Sequence, residues 1–239
     1  MFHRLMKDED DDLLFDQQGT GNDLTGREEG QGVKLKTVEE ALEEISKELQ
    51  KVDERREKIL KDVRDVISSS AKAIVATHAG DLTEAKRCLR LSNRILLRLR
   101  KLASDDLRHY LIQPEAEFVE ASILLAVASK RGFPTRQNLK VSGVSYILGL
   151  LDSIGEVKRM IYDMLRKGKG REALKLFTVV EKIYTLIFPL AIYAHEAPGL
   201  RRKLDVARTV IEDTRSVITE EVRRAKFLRA LERLQGHKS

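Results

Sequence analysis

From Val38 onward, apolar residues return every three or four positions. The series is Val38, Leu42, Ile45, Leu49, Val52, Ile59, Val63 and Val66, interrupted over four heptads by Arg56. Steps of three and four place these side chains on one stripe of an α-helix, either a coiled-coil seam or the inward face of a long bundle helix. Thr37 followed by Glu40 has the form of a capping box, so this helix is expected to begin near Thr37 and run to about Ala76. At 1.5 Å per residue it would be about 60 Å long, which predicts either a partner subunit along it or a break.

The same period predicts five more helices. The second is capped by Asp81, with Glu84 three positions on, and runs to about Leu102 with an apolar stripe of Leu82, Ala85, Leu89, Ser92, Leu96 and Leu99. A third starts at or just after Pro114 and runs through Lys130, with a helical segment over 105–112 before it and Gly132, Phe133 and Pro134 after it. After a linker or short helix over 135–142, the fourth covers about 144–166 and the fifth 171–195. The sixth runs from near Pro198 and Gly199 to about Leu234. No segment alternates convincingly with the strand period, so the fold class is all-α, a bundle of six to seven long helices. The apolar run from Leu174 to Ala194 approaches membrane-spanning length. Glu181 and Lys182 sit in its middle and Pro189 interrupts it, so burial in a bundle or between subunits is favoured over a membrane.

Composition agrees with helices: of 239 residues, 14 are glycine and 4 proline, and tryptophan is absent. Charge divides the chain. Residues 1–35 hold 4 basic and 9 acidic groups, with an acidic run from Asp8 to Asp12 and polar, glycine-rich sequence from Gln17 to Gly32. They read as a tail, with at most a short amphipathic turn around Leu5, Leu13, Leu14 and Phe15. Residues 36–239, read as a single helical domain, hold 40 basic and 29 acidic groups, a net of +11. A body this basic calls for an anionic partner: nucleic acid, an anionic membrane surface or an acidic protein. The single cysteine, Cys88, excludes a disulfide framework and a thiolate metal cluster and is expected to pack. With no apolar signal segment after Met1, it suggests a cytoplasmic protein.

Two groups of residues carry candidate chemistry. On the second helix, Arg87, Arg90, Arg94 and Arg98 recur by three, four and four, with Lys86 and Lys101 beside them. This row reads either as a phosphate-binding face or as a solvated surface paired with neighbouring acids; Glu84 is the acid available within the helix. Inside apolar helices, Glu117 and Glu120 are three apart, and Asp152 and Glu156 four apart. Each pair therefore shares a face. If the pairs met, four carboxylates would form a hard oxygen site suited to Mg2+ or Mn2+; otherwise they are solvated faces paired with Lys158 and Arg159. Gly149 and Gly155 would allow close approach, and the lack of an E-x-x-H arrangement disfavours di-iron chemistry. His78 and His195 read as groups near helix C-termini, His109 as a lesser candidate for substrate contact, and Ser68, Ser69 and Ser70 lack a recognisable triad.

The segment DLTEAKRCLRLSNRILLRLRK resembles the basic second helix of the translin family. EAEFVEA and VSYILGLLDSIGEVKRM resemble the paired-glutamate and acidic-helix motifs of its translin-associated factor X branch. The likeness covers residues 50–225 and departs at Ser145, where relatives commonly have Asp. The link over 135–142 is compact, as in a prokaryotic or archaeal member. The resemblance implies a curved helical fold with catalytic acids at Glu117, Glu120 and Asp152 and Glu156 as a further metal carboxylate. It also implies Mg2+-dependent endonucleolytic cleavage of RNA inside a homo-oligomer, usually an octamer. RNA, with single-stranded DNA as a second ligand, is the partner implied. The alternative is a non-catalytic nucleic-acid-binding scaffold like translin itself.

Overall fold

The computed structural model describes residues 27–236. The chain divides into two compact units, Met1–Gln50 and Lys51–Ser239. Seven α-helices are present among the described residues: α1 (Arg27–Ala79), α2 (Leu82–Leu102), α3 (Ile112–Ala128), α4 (Arg136–Leu139), α5 (Gly143–Arg166), α6 (Gly170–Ile187) and α7 (Leu200–Gly236). Turns of 3-10 helix at Asp105–Leu111 and Phe188–Tyr193 lead into α3 and follow α6. Strands are absent among the described residues, and the all-α expectation holds.

In the first unit, the described part of α1 exposes the early seam residues Leu35, Val38, Leu42, Ile45 and Leu49. Thr37 is not a cap: α1 begins ten residues earlier, at Arg27. The proposed turn around Leu5 and Phe15 lies outside the described residues.

In the second unit the seam turns inward. Ile59 and Val66 are fully buried and pack with Cys88, Leu96 and Leu99 of α2 and Phe118, Val119 and Ile123 of α3. Arg56, the break in the seam, donates from Nε to the Tyr110 hydroxyl at 2.9 Å, so the guanidinium is satisfied beside the core. A second core joins Leu148, Leu151, Ile154 and Ile161 of α5 to Phe177 and Val180 of α6 and Leu204 and Ile211 of α7. Since α3 supplies Leu124 to this core and Ile123 to the other, it is buried on most sides and positions whatever it carries.

The cap read at Asp81 is formed, its side chain accepting from the Glu84 amide at 2.9 Å. A second cap, which the sequence reading did not name, starts α5, where Ser142 accepts from the Ser145 amide at 3.0 Å. The Ser145 hydroxyl lies 2.7 Å from that of Ser142, so a formed cap includes serine at this position. The helix expected over 171–195 ends early, so His195 does not sit at its C-terminus: α6 stops at Ile187, where Pro189 lacks an amide to continue the ladder, and the chain tightens into a 3-10 turn. The segment Gly170–Tyr193 is long and apolar enough to cross a membrane by length and composition. Its inward face is nonetheless held by the bundle, and Arg215 of α7 donates to Glu181 at 2.8 Å. Leu186, Phe188 and Ile192 remain exposed.

Candidate functional site

The paired acids sit on α3 and α5, which approach closely because Gly149 has no side chain. A Cβ there would lie 2.4 Å from the Ala116 carbonyl oxygen and 2.6 Å from Val119 Cβ. Gly155 has no such neighbour. It lines a cleft of about 350 Å³ together with Glu117 and Glu120 of α3, Asp152 of α5, and Arg202 and Lys203 of α7. Three of the four acids singled out from sequence thus line one cleft, and Glu156 is not among its lining residues.

These carboxylates act on one another. Burial, and then the Asp152 charge, raises the pKa of Glu117. Glu120 is pushed up to about 8, first by burial and then by the charges of Glu117, Asp152 and Glu156. Like charges in a poorly solvated cleft resist ionisation unless a cation joins them. The chain supplies one: Lys203 Nζ donates to both carboxylate oxygens of Asp152. Glu156 faces the end of α1, where its Oε2 lies 2.6 Å from His78 Nε2. The His78 side chain is 6% exposed, and its Nδ1 is buried without a hydrogen-bond partner.

Lys203 and His78 therefore replace the partners expected from the local sequence. Lys158 does not neutralise Asp152 or Glu156; its ammonium bonds Asp213 of α7. His78 does lie in the last turn of α1, as a dipole-compensating group would, but its nearest acid is Glu156. Neither pair could be read from spacing, because the members are 51 and 78 positions apart. Among the described residues, no three Asp, Glu, His or Cys side chains converge closely enough to hold a metal ion.

The basic face of α2 is exposed but uneven. Arg87 forks onto Glu84, with Nε and Nη2 donating at 2.7 and 2.6 Å, and Arg98 pairs with Asp62 of α1 at 3.5 Å. Asp62 is an acid that inspection of α2 alone could not supply. Arg90 and Arg94 are exposed and form no ion pair among the described residues, while Lys86 is half-buried and Lys101 exposed. Cys88 packs, 2% exposed. His109 lies away from the acidic cleft, its ring 4.1 Å from that of Tyr110.

No family model matches the sequence. Uncharacterized protein MJ0175 of Methanocaldococcus jannaschii is 31% identical over 186 residues, 77% of this chain and 83% of the relative. Among solved structures, AfC3PO in complex with duplex RNA has a TM-score of 0.69 at 29% identity, covering 76% of this chain and 96% of that one. The crystal structure of AfC3PO gives 0.68 at 30% identity with the same coverage. Apo-NeC3PO gives 0.66 at 22% identity over 75% and 96% of the two chains, a likeness that speaks to the fold alone.

Proposed function

Because the chain belongs to the translin family, on the side of its translin-associated factor X branch, we propose that it is a metal-dependent cytoplasmic endoribonuclease acting as a homo-oligomer. One observation carries the reading: Glu117, Glu120 and Asp152 share a cleft in which Glu120 is held protonated up to about pH 8 by burial and neighbouring negative charge. Such a donor set is all hard oxygen, the chemistry that Mg2+ or Mn2+ takes, and an ion would have to displace Lys203 from Asp152 and draw the carboxylates together. Glu117, Glu120, Asp152 and Glu156 would hold it. When bound, the ion supplies Lewis-acid polarisation of a phosphoryl oxygen and a more acidic water.

The remaining roles belong to the chain. Arg202 and Lys203 bring positive charge to the cleft, suited to the phosphate being cleaved, and Lys203 competes with a metal for Asp152. His78 fixes the orientation of Glu156. Arg90 and Arg94, with Lys86 and Lys101, would hold RNA by its phosphates without reading bases, while Arg87 and Arg98 contribute less because Glu84 and Asp62 already engage them. AfC3PO was solved with duplex RNA, which supports RNA as the ligand here; single-stranded DNA offers the same backbone charge. The exposed apolar side chains Leu186, Phe188 and Ile192 would be covered by other copies in a shell of eight.

The test is cleavage of labelled single-stranded and duplex RNA by the wild type and Asp152→Asn, with Mg2+ and with chelator, alongside binding at fixed salt. D152N should lose about 100-fold or more of cleavage while binding is kept, since a metal charge is removed with little change of shape. Wild-type cleavage by D152N would refute the assignment. A second reading, a binding scaffold without catalysis, draws on the Lys203–Asp152 pair, which answers part of the cleft's charge from within the chain. RNA binding with no metal-stimulated cleavage by the wild type would select it.

A further inference from the structure

Helix α3 carries a third buried acid that faces away from the cleft. Glu115 precedes Glu117 by two positions, about 200° around the helix, and is 4% exposed. Its Oε1 accepts from Arg100 Nε at 2.9 Å, and its Oε2 accepts from the Ser142 amide, also at 2.9 Å. This bridge ties α2, α3 and the start of α5 together beneath a cavity of about 710 Å³, larger than the acidic cleft and sharing none of its lining residues.

The cavity has two kinds of wall. Ala103, Leu111 and Val141, all buried, give it an apolar floor. Its charged groups are mostly cationic: Arg100, Arg108, Arg136 and Lys140 line it. Glu115 is the acid among the lining residues, and Arg100 with the α5 amide already answers it. Arg136 and Lys140 leave the rim with a net positive charge. Arg100 Nη1 is buried and has no hydrogen-bond partner, a donor that normally finds one. Arg136 and Lys140 are exposed and form no ion pair among the described residues. His109, its ring tilted 39° against that of Tyr110, also lines the space.

An inorganic phosphate would answer the charge but leave the apolar floor and most of the volume unused. An apolar ligand would leave the cations unused. A nucleoside carrying a phosphomonoester satisfies both, with its base over the floor and beside the His109 ring and its phosphate among the guanidinium groups, whose planar fork suits phosphate oxygens. We infer that this cavity, bounded by α2, α3, α4 and the start of α5, binds a terminal phosphomonoester of a nucleotide, independently of the acidic cleft. The ligand is either a free mononucleotide or the phosphorylated end of an RNA strand.

Isothermal titration of the full chain with AMP, adenosine and inorganic phosphate tests it, using wild type, Arg136→Glu/Lys140→Glu and D152N. AMP should bind saturably and at least about 10-fold more tightly than adenosine or phosphate, and R136E/K140E should weaken it by about 10- to 100-fold, as loss of charged hydrogen bonds would. D152N should bind AMP as the wild type does, which separates this site from the proposed active site; RNA cleavage plays no part in the reading. Both substituted side chains are exposed, and circular dichroism of R136E/K140E verifies its fold. In the D152N background, a short RNA with a 5′-phosphate binding more tightly than its 5′-hydroxyl form, with the difference erased by R136E/K140E, would identify a strand end as ligand. AMP binding without that difference would identify a free nucleotide. Adenosine binding as well as AMP, AMP binding unchanged in R136E/K140E, or no binding of AMP or of the phosphorylated strand would overturn the inference.

Discussion

Replacing Glu120 with glutamine keeps the shape of the side chain and removes a charge that its surroundings oppose. The ordinary glutamate value of 4.5 rises to about 8 here, with burial as the first cause and Glu117, Asp152 and Glu156 as the next. Between those two values the folded chain retains a proton that the unfolded chain has released. The stability contributed by this group is therefore complete below pH 4.5 and is lost as the pH rises through 8. At about 1.4 kcal/mol per unit, the interval from 4.5 to about 8 corresponds to roughly 5 kcal/mol; because Glu120 is half-buried rather than sealed, screening by solvent lowers the expected effect to about 1–3 kcal/mol. E120Q should therefore match the wild type at pH 4.5 and exceed it by that amount at pH 8. Urea unfolding followed by circular dichroism, in chelator and at one protein concentration, measures both differences. Equal stability at pH 8, or a less stable E120Q there, would refute the claim that the cleft opposes this charge. Mg2+ added at pH 8 should stabilise the wild type more than E120Q if the acids hold the ion.

Three further outcomes follow from other parts of the chain. Arg90→Gln/Arg94→Gln should weaken RNA binding and flatten the slope of log affinity against log salt by up to about two phosphate contacts; an unchanged slope would mean that RNA engages another surface. Gly149→Ala ordinarily strengthens a helix, but here the added methyl meets the Ala116 carbonyl and Val119. The variant should lose about 1–3 kcal/mol in urea unfolding, and a gain would show that α3 and α5 can separate without cost. Light scattering across a dilution series should find an assembly larger than a dimer both for the full chain and for a form beginning at Lys36. A monomer at micromolar concentration would remove the enclosed-shell reading, and loss of assembly on truncation alone would give residues 1–35 a structural role.

The helices were legible because their signals are local. Asp81 can cap only the turn that follows it, and a three- or four-residue step fixes which side chains share a face. That logic placed Glu117 with Glu120 and Asp152 with Glu156 before any packing was considered. It failed at Thr37, where a capping box was matched by sequence but the helix continued through it. What only the tertiary structure decided was which faces meet. Gly149 lets α3 and α5 close on each other, Lys203 reaches Asp152 from α7, and His78 reaches Glu156 from α1. The Arg100–Glu115 bridge under the second cavity was invisible for the same reason. Charges interact through space, with a strength set by separation and burial, whereas the spacing of residues along a helix reports only on neighbours within a turn.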